Sequence, residues 1–425
     1  MKRLRKVLPL GFALSDQAAF AVGNFLVSLV LARFLSQYHY GIYSVGFTLY
    51  TIGIGFLTGV LTEPMMVFGS GRYRDRLRQY TSILFRDFWR KVWPIVALVL
   101  VVLSLVYRNT EILTVVAAFA IASGPMLFQW VMRRACYPVR KQRLAAIGGG
   151  CFMCLALGFI LLFWKSQILT PAAGVGAIGL ASSASCLVIW LGLRERLGKR
   201  GPSKESVLDK GEVVDRHLGY SRWSLLTNLM SWIPSSVYLL LLPVVSAPED
   251  AGRLRAVQNL LMPAIQLQAA LAPLILQWLV TRRERSDFRR TVAKLSLVCC
   301  VPGLCWATTL GVMGNEIQEI AYGGRYNEPA SILLLFGLCS ALAGAGMVMS
   351  ASFNANERPD QVLKGYVLPS VVTVLVGIPQ MVWFGIAGVA VGILLSTALR
   401  LVLLSVQFVR AAQPQSDALN SERMT

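Results

Sequence analysis

The chain of 425 residues is 55% hydrophobic and only 15% charged, with a mean hydropathy of +0.59. Soluble domains carry about 25% charged residues; this balance, with apolar runs of membrane-spanning length recurring throughout, excludes a soluble enzyme and the disordered, collagenous and disulfide-framed classes. The 41 Lys and Arg against 21 Asp and Glu give a formal charge of +20, but the basic residues lie between the apolar runs, so they read as a topological signal and not as a nucleic-acid footprint.

Met1 to Lys6 imitates the basic start of a signal peptide. Asp16 and Gln17 then leave an uninterrupted apolar run only from Val7 to Leu14, and the pattern continues past a cleavage distance, so the segment is read as an uncleaved first span. At roughly 20 residues per crossing, the predicted spans are Phe12 to Phe34, His39 to Leu61, Trp93 to Tyr107, Ile112 to Met132, Leu144 to Trp164 and Thr170 to Leu193. A second set runs Trp223 to Val245, Leu254 to Val280, Leu295 to Met313, Ala330 to Phe353, Tyr366 to Phe384 and Ile386 to Phe408. Backbone amides in lipid have no water partner, which forces helices, and the runs are too long for barrel strands. The expected fold is an all-α polytopic membrane protein with about twelve transmembrane helices in two six-helix bundles.

The longest hydrophilic stretch, Arg194 to Arg222, divides the halves. The expected organisation is an N-terminal bundle over 1–193, a cytoplasmic linker over 194–222, a C-terminal bundle over 223–409 and a tail over 410–425. Counted on alternate sides of these spans, 34 Lys and Arg fall on the side of the N-terminus and five on the other. A missed span would invert every later loop, so both termini are predicted cytoplasmic. Labelling of introduced cysteines is expected to reach Ser206 from the cytoplasm and Asn315 from outside; the reverse accessibility would overturn this orientation.

The halves share a faint parallel echo. Ala32 to Leu49, ARFLSQYHYGIYSVGFTL, and Leu242 to Leu261, LPVVSAPEDAGRLRAVQNLL, both pass from a span end through Ser and a polar turn to Gly and a new span. Such a repeat fits transporters in which two bundles rock about a midplane site.

Several chemistries are not written in the sequence. Cys151 and Cys154 form a C-x-x-C without a second pair or His at zinc spacing, so no metal is expected. Gly198-Lys199 imitates a phosphate loop, but Leu193 stands where its first Gly belongs and Arg200 replaces Ser/Thr. His39 and His217 lie at or beyond opposite membrane boundaries, and no span holds an Asp/His or Ser/His cluster, which disfavours hydrolysis. The chain is expected not to be an enzyme and to need no cofactor.

Candidate functional residues are polar groups within spans, where exposure to lipid is costly. Gln17, Asn24 and Ser28 share one face of the first helix, lining a cavity or bonding to a neighbouring helix. Asp16 and Glu63 lie at comparable depth near one mouth; they either exchange a coupling proton or are solvated or paired with Arg72 or Arg74. Arg400, eight residues before Phe408 in the last helix, either snorkels or faces inward to bind an anion. Arg33 ends helix one, and its fork suits a phosphate or a lipid headgroup. Gln258, Asn259 and Gln266 in the eighth span, with Asn228 in the seventh, form a neutral hydrogen-bonding set suited to sugar hydroxyls.

The segment SDQAAFAVGNFLVSLVLARFLSQYHYGIYSVGFTLY, followed by TEPMMVFGSGRY, resembles the opening of the polysaccharide transport family. These are lipid-linked oligosaccharide or O-antigen flippases of the multidrug/oligosaccharidyl-lipid/polysaccharide (MOP) exporter superfamily. SRWSLLTNLMSW, GRLRAVQNLLMPAIQLQAALAP, AYGGRYNEPASILLLF and NANERPDQVLKGYVLP follow in the order such proteins show. The resemblance implies two bundles around a central cavity, alternating access without ATP, and a polyprenyl-pyrophosphate-linked glycan carried across a bacterial inner membrane. Its partners would be that glycan lipid, membrane lipids and glycan-assembly enzymes, with no nucleic acid. On the same analogy Arg33 and Arg400 contact the anionic head, and Asp16 and Glu63 couple an ion. The competing readings are a drug or small-solute exporter of the same superfamily, a membrane glycan polymerase and a biosynthetic scaffold.

Overall fold

The structure is a computed structural model that describes residues 2–107, 109–139, 141–197, 208–356 and 358–410. The expected tail beyond Arg410 and the centre of the expected linker, 198–207, lie outside the described residues. Among the described residues every regular element is helical: α1 (Lys2–Phe34), α2 (Gln37–Leu57), α3 (Glu63–Ser70), α4 (Leu77–Asp87), α5 (Trp93–Ser104), α6 (Thr110–Ala135), α7 (Gln142–Lys165) and α8 (Pro171–Leu197). They continue as α9 (Lys210–Val245), α10 (Pro248–Leu260), α11 (Met262–Val280), α12 (Phe288–Tyr322), α13 (Ala330–Ala355), α14 (Pro359–Val372) and α15 (Ile378–Arg410).

Nine helical stretches among the described residues are individually long and apolar enough to cross a membrane. Three more crossings follow from where the chain bends. The apolar part of α1, Ala19–Phe34, is one. The apolar α5, Trp93–Ser104, is another. The stretch Asp360–Arg410, 51 residues long, is two crossings, because Gly385 at φ 57° and ψ −134° reverses the chain within it. That left-handed φ favours glycine, which has no Cβ to clash. The count of about twelve therefore holds.

Three π-helical turns, Thr58–Thr62, Phe88–Val92 and Thr373–Gly377, each end two residues before a proline: Pro64, Pro94 and Pro379. A proline ring collides with the carbonyl four residues earlier and offers no N–H to it. Val60, Arg90 and Leu375 own those carbonyls, in the middle of each widened turn. Bonding from i to i−5, as from Glu63 N–H to Thr58 O, lets the helix continue past the proline. The second crossing thus runs on through α3 to Ser70 instead of stopping near Leu61.

Other boundaries also shift. The linker predicted over 194–222 is partly helical, since α8 reaches Leu197 and α9 begins at Lys210, where Asp209 accepts hydrogen bonds from the Gly211 and Glu212 amides. The outer loop expected after Met313 is helical to Tyr322, beyond a kink at Met313 itself.

By packing, the chain forms two compact units: Met1–Leu229 with Leu239–Asn259, and Met230–Tyr238 with Leu260–Thr425. In the first, Tyr43 and Tyr50 pack on the fully buried Phe119 at ring-centroid distances of 5.7 and 5.9 Å. Also inside this unit, α2 and α10 cross at Gly41 and Gly252. A Cβ on Gly252 would lie 2.7 Å from the Gln37 carbonyl oxygen and 3.0 Å from the Gly41 nitrogen. A Cβ on Gly41 would run into the Pro248 carbonyl. Each glycine thus receives the carbonyl of the residue four before its partner, a reciprocal contact built from the two echoing sequence segments. In the second unit Leu279, Val292, Val348 and Leu404 are fully buried. Outward-facing apolar side chains such as Ile121, Leu297 and Val312, each 70% or more exposed, suit contact with lipid.

Candidate functional site

The first unit gathers its buried charge where α1, α3, α6 and α9 meet. Arg133, in the last turn of α6, is 2% exposed, and Asp16 on α1 is fully buried. Arg133 Nε donates to Asp16 Oδ1 at 2.8 Å, and its Nη2 to the Asp16 carbonyl at 3.2 Å. The Tyr137 hydroxyl donates to Asp16 Oδ2 at 2.8 Å. The guanidinium carbon lies 3.9 Å from the Phe20 ring centre, so a cation–π contact covers one face. Both carboxylate oxygens are engaged. Arg72 is not the partner of Asp16; it bonds Glu212 at 3.0 Å.

Glu63 opens α3, directly after the first π turn, and is half-buried. The Ser224 hydroxyl of α9 donates to its Oε2, and Asn228 Nδ2 reaches Ser224 Oγ at 3.4 Å. One turn lower, the Val60 carbonyl freed by Pro64 meets His217 Nδ1 at 3.2 Å and the Ser221 hydroxyl at 3.4 Å. His217 Nε2 lies 2.8 Å from the Tyr80 hydroxyl. The π turn therefore binds α9 to the second crossing by supplying an acceptor that a regular helix would have used itself.

Arg134, next to Arg133, is half-buried and within electrostatic reach of Asp16, Glu63 and Tyr137. Its guanidinium lies 4.8 Å from the Trp130 ring centre and 6.0 Å from that of Tyr137. Among the described residues no hydrogen bond or ion pair engages it. A planar cation held between rings, with its donors uncommitted, is an arrangement suited to an anion. Sequence reasoning missed both arginines by counting RRACYPVRKQR as a topogenic loop. The one available signal was that Gln129, Met132 and Arg133, at i, i+3 and i+4, carry one face of α6 forward into the basic cluster.

The remaining first-unit candidates separate. Asn24 donates to the Phe20 carbonyl of its own helix at 2.9 Å, Arg33 is exposed in the last turn of α1, and the Gln17 side chain lies outside the described residues. Ser28 instead joins a buried triad. Asn259 Nδ2 donates to Ser28 Oγ at 3.0 Å and to the Tyr40 hydroxyl at 2.8 Å, and the two hydroxyls are 2.8 Å apart. This ties α1, α2 and α10 together. Gln258, beside Asn259, is half-buried.

In the second unit, Arg400 on α15 is half-buried. Its Nη2 donates to Ser350 Oγ on α13 at 2.8 Å, and its guanidinium carbon lies 4.0 Å from the Tyr366 ring centre on α14. Its Nε is buried without a hydrogen-bond partner. Gln266 is half-buried and makes a weak 3.9 Å contact to the Met262 sulfur, while Gln268 donates to the Ser340 carbonyl at 2.7 Å. Glu63 with Asn228, through Ser224, and Ser28 with Asn259 are thus predicted residues that the fold links.

No protein-family profile matches the sequence. A curated relative, described as a probable low-salt glycan biosynthesis flippase of Haloferax volcanii, is 22% identical over 193 residues, covering 43% of this chain and 40% of that protein. The chain thus matches well under half the length of that relative. An inward-facing multidrug resistance MATE family transporter of the MOP superfamily superposes with a TM-score of 0.72 at 13% identity, over 95% of this chain and 96% of that one. Lipid II flippase MurJ, in an inward closed conformation, gives a TM-score of 0.70 at 10% identity, over 94% and 87%. At such identities the likeness is one of fold, and the chain has the fold of these transporters.

Proposed function

We propose, from this MOP-superfamily fold, that the chain is a transporter that flips a lipid-linked oligosaccharide or polysaccharide precursor by alternating access. The observation that carries the reading is Arg134: a half-buried cation flanked by Trp130 and Tyr137, with no ion pair among the described residues, in a chain whose fold is shared with a lipid II flippase. The anionic head of a polyprenyl-pyrophosphate glycan supplies the charge that such a cation lacks, and rings beside it suit sugar faces. Arg400 takes the corresponding role in the second unit, with Arg33 at the outer end of α1. Gln17, Asn24, Asn228, Gln258 and Gln266 are the neutral groups offered to hydroxyls, whereas Asn259, buried with its amide committed to Ser28 and Tyr40, holds α1, α2 and α10 together. Glu63, which accepts one hydroxyl bond from Ser224, is better suited to coupling an ion than Asp16, whose oxygens are both occupied. A bacterial inner membrane with both termini cytoplasmic is the location that fits the charge asymmetry.

The test is uptake of a fluorescent polyprenyl-pyrophosphate oligosaccharide into the protected leaflet of proteoliposomes. Arg134→Ala is expected to slow it by about tenfold or more, the loss of a charge-assisted hydrogen bond, with Arg134→Lys recovering part. Arg400→Ala should likewise be worse than Arg400→Lys. Wild-type rates in Arg134→Ala would remove the proposed head-group site. A drug exporter is the second reading, favoured by the MATE superposition; export of an organic cation that persists in Arg134→Ala while the glycan lipid is never moved would select it.

A further inference from the structure

A cavity of about 220 Å³ opens on the first unit between α4 and the end of α8, lined by Arg78, Thr81, Ser82, Phe85, Trp190, Leu193 and Arg194. None of these groups is acidic. The Ser82 hydroxyl is exposed there, and Arg194 is exposed with a cation–π contact 5.4 Å from the Trp190 ring centre; among the described residues neither makes a side-chain hydrogen bond or ion pair. Two guanidinium forks and a free hydroxyl converging on a small cleft are a donor set for a phosphate oxygen.

The surface leading away from the cleft is apolar. Leu187, Trp190, Leu191 and Arg194 recur at i, i+3, i+4 and i+7 along α8, so they share one helix face. Leu187 is 55% and Leu191 47% exposed, and Leu180, two turns earlier, is 55% exposed. The face therefore runs from lipid-suited leucines, through an indole of the kind found at membrane interfaces, to arginines. That gradient matches an amphiphile in the bilayer plane, with tail along α8 and head in the cleft. It does not match a freely dissolved anion, for which the leucine lane has no use.

We infer that this cleft is a binding site for the phosphodiester headgroup of an anionic phospholipid, separate from the residues assigned above to transport. It lies at the arginine-rich end of the spans, and juxtamembrane arginines are attracted to anionic headgroups. The inference requires only that the chain spans a membrane, so it stands whether or not the cargo is a glycan lipid.

The experiment is native mass spectrometry of the full chain, titrated in detergent with phosphatidylglycerol or with phosphatidylcholine of the same acyl chains. Wild type should retain phosphatidylglycerol preferentially. Arg78→Gln with Arg194→Gln should weaken that retention by about tenfold and leave phosphatidylcholine unchanged. Arg289→Gln with Arg290→Gln, an exposed pair at the start of α12 that changes net charge equally, should behave as wild type. Equal losses in the two double variants would assign the effect to bulk charge and overturn the site, as would no loss in either. Displacement of phosphatidylglycerol by inorganic phosphate at the same concentration would overturn the lipid assignment in favour of a soluble anion. All four substitutions are of surface side chains in one or other exposed segment, and monodispersity on size exclusion reports that each variant is folded.

Discussion

Replacing Arg133 by alanine is expected to destabilise the protein by about 3–5 kcal/mol, because it leaves the fully buried Asp16 carboxylate without its counter-charge. The Tyr137 hydroxyl still donates to Oδ2, but one neutral hydrogen bond does not offset a buried charge. The pair, in contrast, adds little over an apolar replacement, since both ions are desolvated and Arg133 Nη1 lacks a hydrogen-bond partner. Asp16→Leu combined with Arg133→Met should therefore recover most of the lost stability. The measurement is the midpoint of thermal loss of the monodisperse peak in detergent, for both single variants and the double. Additive losses would show that the two residues do not act as a pair. The same cycle separates structure from coupling: if Asp16 only joins α1 to α6, the double variant transports with an unchanged pH profile, and a shifted profile returns Asp16 to the coupling machinery.

The second large effect is expected at the crossing of α2 and α10. Gly41 faces the Pro248 carbonyl and Gly252 the Gln37 carbonyl at 2.7 Å from the place a Cβ would take, and backbone cannot swing aside as a flexible side chain can. Gly41→Leu must push the helices apart, at a cost of about 1–3 kcal/mol for overpacking or more. It also pulls Tyr40 from the buried triad with Ser28 and Asn259, which adds unsatisfied polar groups. Gly55→Ala, near the other end of α2 and facing open space, is the control. It should be neutral or stabilising by about 0.5–1 kcal/mol, since glycine is the poorer helix former. Equal thermal midpoints for Gly41→Leu and Gly55→Ala would show that the helices are not held at these glycines.

Much of the architecture was written in hydropathy alone. Lipid offers backbone amides no partner, so apolar runs of sufficient length have one outcome, and the count of about twelve crossings needed no tertiary information. The echo between Ala32–Leu49 and Leu242–Leu261 was also legible as two similar strings. That their glycines meet was not, because helix contact depends on which faces are turned together and hydropathy averages over all faces. The π turns were legible in principle, since TEP, VWP and GIP place a proline inside an apolar run; the use of Val60 as an acceptor for His217 required α9 to be beside it.

The buried charges were the hardest to read. Asp16 and Arg133 are 117 positions apart, and sequence spacing carries no information about an ion pair between α1 and α6. A basic cluster after a span looks the same whether its arginines face water, pair inside the bundle, as Arg133 does, or stand between rings with donors uncommitted, as Arg134 does. Composition and period decide that a chain enters the bilayer and how often, because those depend on transfer from water segment by segment. Which charge meets which is decided only by packing, because a desolvated ion is stabilised by partners within a few ångströms and those are brought from distant helices.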